Sequence, residues 1–424
     1  MRAMLAALTF AFAANASAQL LSDPTLAVST YLSGLDSPTG IRFTGPNEGF
    51  VIEKGGAIGG TGTVRRFSNG TLSTALTLPV ATDSVERGLL GIAVDPSFAT
   101  NGQVYLYHSA GSSGAWIDNR LTRYTWNGSM LSSPLGMGTF GSSNDGQAIG
   151  PNHNGGVLTF GPDGKLYGVT GDLNRDRVEQ NNKATNLSAS TGGVFRLNTD
   201  GTVPADNPFT GDFSRWYAYG VRNSFGLAFD PATGRLWDTE NGVTTFDEIN
   251  QVVRGMNSGW NSIMGPDGRN TLNAPADLNM LPGAVYQDPK FSFADAIGIT
   301  SIQFLKGSVL GAAYDDAVLI GENNNPRLWL LRLNAARDGF VLVGSLADGV
   351  LDSGDGLAPF GTGFDVTTDI QIGPDGAVYI TSLSTGEVYR IAPVPEPSTW
   401  LLMALGLGVV GGVAQRRARH GQAA

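Results

Sequence analysis

Only three histidines occur in the 424 residues, and His153 has the most informative surroundings. It opens the stretch His153 to Asp172, HNGGVLTFGPDGKLYGVTGD. Val157 to Phe160 and Lys165 to Thr170 read as short strands, and Gly161-Pro162-Asp163-Gly164 between them has the composition of a tight turn. His153 and Asp172 stand equally far from the fold of that hairpin, so strand pairing carries an imidazole and a carboxylate to one end of it. A bulge would shift the match by one residue. A carboxylate on one ring nitrogen fixes the tautomer and raises the basicity of the other, which is what a general base near neutral pH requires. The bland alternative is a histidine in a glycine-rich loop, hydrogen-bonded to backbone.

The elements that must position this pair recur along the chain. The repeated phrase is an apolar strand, a turn of the Asp-Pro or Gly-Pro-Asp-Gly type, and a strand rich in Tyr, Val and Leu. It begins at Gly40, Leu90, Val157, Gly226, Ile302 and Ile370, and most units close with a further strand, such as Arg120 to Tyr124 or Gly193 to Leu197. Six sheets of about four strands predict an all-β fold, a six-bladed β-propeller forming a single domain over residues 24 to 392. A β-sandwich array is the competing architecture. Composition agrees: 59 glycines, 21 prolines and 15% charged residues suit short strands joined by turns, and 41% hydrophobic content supplies a large core. The net charge of −10 argues against a nucleic-acid partner.

In a propeller, equivalent strand ends converge on a central channel. The polar residues at those ends are Glu86 and Arg87 before the second repeat, His153 and Asp172 around the third, and Arg222 and Asn223 before the fourth. Glu240, Asn241 and Gly242 follow the fourth repeat's second strand, with Asp247 and Glu248 shortly beyond. Taken singly, Arg222 could be structural, and Asp247 and Glu248 could hold a loop or a Ca²⁺. His108, at the end of Tyr105-Leu106-Tyr107, reads as a packing residue. Trp260 has no role assignable from sequence.

Both termini carry addresses. Met1-Arg2, an apolar run from Ala3 to Ala14 and Ala16-Ser17-Ala18 form a secretory signal peptide, residues 1 to 18, rather than a buried first helix. No cysteine is present, so an exported domain must rely on core packing. At the other end, Val394-Pro395-Glu396-Pro397-Ser398-Thr399, an apolar stretch at about 399 to 414, and Arg416, Arg417 and Arg419 stand in order. This segment, 393 to 419, resembles the PEP-CTERM sorting signal. The resemblance implies recognition by an exosortase, a membrane-embedded stage before processing, and delivery to the cell surface or matrix. A plain membrane anchor is the alternative.

Four phrases, Glu86 to Ser109, His153 to Asp172, Gly220 to Gly242 and Asp247 to Asn261, resemble the glucose/sorbosone dehydrogenases, which include soluble sugar dehydrogenases dependent on pyrroloquinoline quinone (PQQ). That resemblance implies oxidation of a sugar or polyol. It makes His153 the general base, Asp172 its partner and Arg222, beside Asn223, the group that polarises the quinone. Gly242 and Val243 fall where two carbonyls hold a Ca²⁺, with Glu240, Asp247 and Glu248 as further oxygen donors.

The chain departs from the family where the three PQQ carboxylates are gripped. Val366 and Thr368 replace two arginines, and Glu322 to Asn325 replace a lysine, for which Arg327 is the nearest substitute. Glu86 stands where a glutamine contacts the cofactor, and would repel a carboxylate unless Arg87 or a metal neutralises it. Two other functions therefore stay open. One is a non-catalytic surface or matrix propeller binding polysaccharide or protein, and the other is a Ca²⁺-dependent lactone hydrolase.

Overall fold

The computed structural model describes residues 19–55, 60–112, 114–143, 150–174, 181, 191–270 and 273–394. The expected signal peptide, and the sorting segment from 395 onward with its apolar stretch, lie outside the described residues. Among the described residues no helix is long and apolar enough to cross a membrane.

Turn chemistry and alternating apolar residues produce strands almost throughout. Among the described residues these form six sheets, whose first strands are Pro38–Gly45, Leu89–Val94, Leu158–Phe160, Ser224–Phe229, Ile299–Phe304 and Thr367–Ile372. Within each sheet the next two strands follow in antiparallel order. The first strands touch one another in sequence, and Thr367–Ile372 returns to pack against Pro38–Gly45. A hydrophobic cluster fills the seam between every consecutive pair of sheets. One joins Tyr107 and Phe140 to Phe195 and Trp216, another joins Trp237 and Ile249 to Phe304 and Val318, and a third joins Tyr379 and Val388 to Ile41 and Val51. The fold is thus the all-β propeller that the repeats predict.

The ring is closed by pairing its two ends. Leu26–Leu32 lies antiparallel to Glu387–Pro393, with Leu26 opposite Pro393 and Val28 opposite Ile391. Leu20–Leu21 reaches back to pair with Gly361–Thr362 of the preceding sheet.

Second strands are buried on both faces, because each lies between two neighbouring sheets. Every residue of Leu166–Thr170, Leu236–Glu240, Ala317–Glu322 and Val378–Ser382 is buried, polar ends included. The fourth sheet carries this furthest. Glu240 pairs with Glu248, and Asp238 with Asn250, so four buried polar side chains share one face. Glu240 accepts hydrogen bonds from the Ser258 hydroxyl at 2.6 Å and the Arg222 amide at 2.6 Å, while Glu248 accepts from Asn250 and the Gly265 amide. Burial pushes Glu240 up to about 7, and those hydrogen bonds only partly oppose it. Asp238 and Glu248 are raised well above the carboxylate range by burial and then by the Glu240 charge.

A carboxyl raised on folding adds stability below its unfolded value and loses it as the pH climbs through its folded value. Wild-type stability should therefore fall relative to Glu240→Gln between about pH 4.5 and about 7. Thermal melts of both proteins across that range test this; a difference constant with pH would contradict it.

Candidate active site

The Gly161–Gly164 turn forms as the sequence predicts, closed by the Gly161 amide on Lys165 O and the Gly164 amide on Gly161 O, each at 2.9 Å. The hairpin register sets Leu158 opposite Gly168 and Phe160 opposite Leu166. Continued upward, it places His153 level with Leu173, one residue off the expected match, and the Leu173 amide donates to His153 O at 3.4 Å. Side-chain reach makes up the difference, since His153 Nδ1 lies 2.6 Å from Asp172 Oδ1.

Asp172 is fully buried and fully used. Besides His153, it accepts hydrogen bonds from the Trp260 indole N–H at 2.7 Å and the Asn174 amide at 2.8 Å. With Nδ1 donating to Asp172 Oδ1, Nε2 is the ring nitrogen left to accept a proton. The backbone of His153 is left-handed, with φ of 64°, and its N–H donates to Glu86 Oε2 at 2.5 Å. Gly171 makes this crowding feasible: a Cβ there would stand 2.4 Å from His153 O and 2.6 Å from Arg222 O.

Arg222 enters from the start of the fourth sheet, and its carbonyl accepts the Asp172 amide at 2.8 Å. Its guanidinium lies over the Trp260 ring at 5.3 Å and donates from Nη1 to the carbonyls of Asn241 and Gly242 at 2.9 and 2.8 Å. Burial holds it below the usual arginine range, against the pull of Asp172 and Glu240. Asn223 beside it donates to Glu86 Oε2 at 3.5 Å. His153, Arg222, Asn223, Glu86 and Gly242 all line one central cavity of about 700 Å³. Among the described residues, buried polar atoms of the lining stay without a protein partner: Arg222 Nε, Asn223 Oδ1, Thr300 Oγ1 and Ser301 Oγ. A ligand rich in polar atoms would satisfy them.

Other expected site residues are placed elsewhere. Arg87 turns away from the cavity, pairing with Asp83 at 2.7 Å, donating to Gly150 O and covering the Trp116 ring, because its neighbours there satisfy it better than an open channel. Arg327 lies over Trp329, outside the lining. Asp247 is taken up by four backbone amides, those of Gly242, Ile297, Gly298 and Ile299, and so holds a loop. Glu240 and Glu248 belong to the buried sheet face. Among the described residues no group of three or more His, Asp or Glu side chains is arranged to hold a metal. Val243 is 61% exposed at the rim. His108 is buried with Nδ1 unpartnered, and burial and then Arg120 lower it to about 4, which suits a packing residue.

Sequence reading missed three members. Trp260 and Asn174 are brought to Asp172 only by the fold. Lys54 lines the cavity one residue past the first sheet's second strand, as Asn241 does in the fourth sheet, so the repeat itself could have found it.

Comparison with known proteins gives this geometry a context. Residues 35–390 match the glucose / sorbosone dehydrogenase family, and residues 393–418 match the PEP-CTERM protein-sorting motif, which indicates export and C-terminal sorting to the cell surface. The aldose sugar dehydrogenase YliI of Escherichia coli K12 is 28% identical over 367 residues, 85% of this chain and 91% of that protein. The quinoprotein glucose dehydrogenase B of Acinetobacter calcoaceticus is 31% identical over 261 residues, 55% of this chain and 52% of that protein. The solved structure of a glucose dehydrogenase-type oxidoreductase from Thermus thermophilus superposes with a TM-score of 0.68 at 26% identity, covering 86% of this chain and 99% of the other. With the family match spanning most of its length, the chain belongs to the glucose/sorbosone dehydrogenases.

Proposed function

We propose that this protein is an exported, PQQ-dependent dehydrogenase that oxidises a hydroxyl of a sugar or polyol at the central cavity, with its six sheets as the six blades of the ring. The observation that carries this reading is the His153, Asp172 and Trp260 relay beside Arg222 at one cavity wall. Cavity size and unpartnered polar atoms suit a polycyclic quinone together with a small polar substrate. PQQ, when bound, supplies the two-electron acceptor.

The chain's own residues do the rest. His153 Nε2 takes the proton of the substrate hydroxyl as hydride leaves the carbon that bears that hydroxyl. Asp172 stabilises the imidazolium that forms, and the Trp260 indole N–H keeps Asp172 aimed. Arg222 presents a cation, poorly solvated and hence strong, to developing negative charge on an oxygen in the cavity. Gly242 and Val243 would hold a Ca²⁺ through their backbone carbonyls; in the structure Gly242 O accepts from Arg222. Signal-peptide export, exosortase processing of the tail and a place on the surface or in the polysaccharide matrix complete the reading.

The neutral Val366 and Thr368 on the cavity wall favour a second reading, a non-catalytic propeller that binds surface polysaccharide. Calorimetry with PQQ, with Ca²⁺ present and then chelated, separates the two. Saturable binding followed by turnover of a sugar with an artificial electron acceptor supports the dehydrogenase, whereas no binding favours the second reading.

In the same assay His153→Ala should lose about 10²-fold or more in kcat while remaining folded, with a lowered melting temperature because buried Asp172 loses a donor. Wild-type turnover in that variant would remove the general-base assignment. Trp260→Phe deletes one charge-assisted hydrogen bond to Asp172 and should lower kcat about 10-fold while leaving PQQ affinity near wild type. An unchanged kcat would show that Asp172 needs no third donor.

A further inference from the structure

The cavity wall is asymmetric in charge. On the side of the sixth sheet, where Val366 and Thr368 face the cavity, no unpaired cation stands among the described residues. Arg42 deeper in the channel is tied to Asp369 at 2.5 Å, to Ile41 O and to Leu158 O. The adjoining sector belongs to the first sheet, and there Lys54 follows the strand Glu48–Glu53. Its backbone links the two sectors. The Lys54 amide donates to Ser37 O at 3.0 Å, and the next carbonyl, Pro38 O, accepts the Thr368 hydroxyl at 2.9 Å.

The Lys54 ammonium is positioned but not neutralised. Nζ donates to the carbonyls of Val85 and Arg87 at 3.1 and 3.2 Å, which among the described residues leaves one of its three N–H donors uncommitted. Among the described residues it makes no ion pair, and burial holds it below the usual lysine range, with Asp36 the opposing influence. The loop it braces carries Glu86, which holds the His153 backbone. An unpaired, half-desolvated ammonium on a cavity wall is costly unless a ligand brings the counter-charge.

We propose that Lys54 is the cationic contact for a carboxylate of the ligand in the central cavity, taking over the role left by the neutral Val366 and Thr368. This rests on the dehydrogenase reading, with PQQ as the carboxylate-bearing ligand. A lysine is a compact point charge and needs only one donor free, so the remaining N–H is sufficient.

The test is calorimetric titration of PQQ into wild type, Lys54→Gln and Lys54→Arg, with melting temperatures recorded. Glutamine keeps a donor for the loop carbonyls and removes the charge. Binding should weaken about 10-fold or more in Lys54→Gln, remain within about threefold in Lys54→Arg, and depend less on salt in the glutamine variant than in wild type. Equal affinity in all three proteins overturns the Lys54 assignment and leaves the dehydrogenase reading standing. Equal weakening in both variants also overturns it, because shape rather than charge would then be at work. Failure of wild type to bind PQQ overturns the reading on which the assignment rests.

Discussion

A sheet that is apolar on both faces has nowhere to stand except between two others, and this constraint governs the whole molecule. Leu166–Thr170 and Ala317–Glu322 are buried along their full length only while the sheets on either side are in place. The ring must therefore close, and it does so by pairing chain ends that are more than 350 residues apart in sequence. Stability held in the seams is shared by the whole circle, which accounts for a cysteine-free domain in a chain addressed for export.

The same burial builds the site. Polar residues at the ends of fully buried strands lose water, so each must find a partner or carry a shifted pKa. Asp172 found three donors. Glu240 and Glu248, facing each other across two strands, found fewer and are pushed toward the neutral form. Two groups of carboxyls in one molecule thus take opposite characters from their surroundings, one suited to supporting a base and the other to filling a seam.

Arg222 is the hinge between these regions. Its amide rests on Glu240, its carbonyl on the Asp172 amide, its guanidinium on Trp260 and on two loop carbonyls. A single residue so connected transmits the geometry of the fourth sheet to the histidine of the third. The loop that holds Gly242 is in turn fixed by Asp247, whose carboxylate gathers four amides, so a residue read as a metal donor serves as the anchor of that loop.

Much of this was legible in the chain before folding, because some signals are local. Period-two strands, Gly-Pro-Asp-Gly turns and the recurrence of their phrase set the propeller. Hairpin symmetry alone brought His153 and Asp172 to one end, and a one-residue shift was absorbed by side-chain length. Long flexible cations were less legible. Arg87 and Arg327 turn toward partners contributed by other segments, and Lys54 faces the cavity for the same reason. Trp260 reaches Asp172 only because Met256–Asn257 joins the third sheet as a parallel strand. Sequence by itself determined the family, the repeat and the pairing of His153 with Asp172, since these depend on motifs and on neighbours within a hairpin. Only the tertiary structure decided which charges face the cavity, because that depends on where closure of the ring places residues hundreds of positions apart.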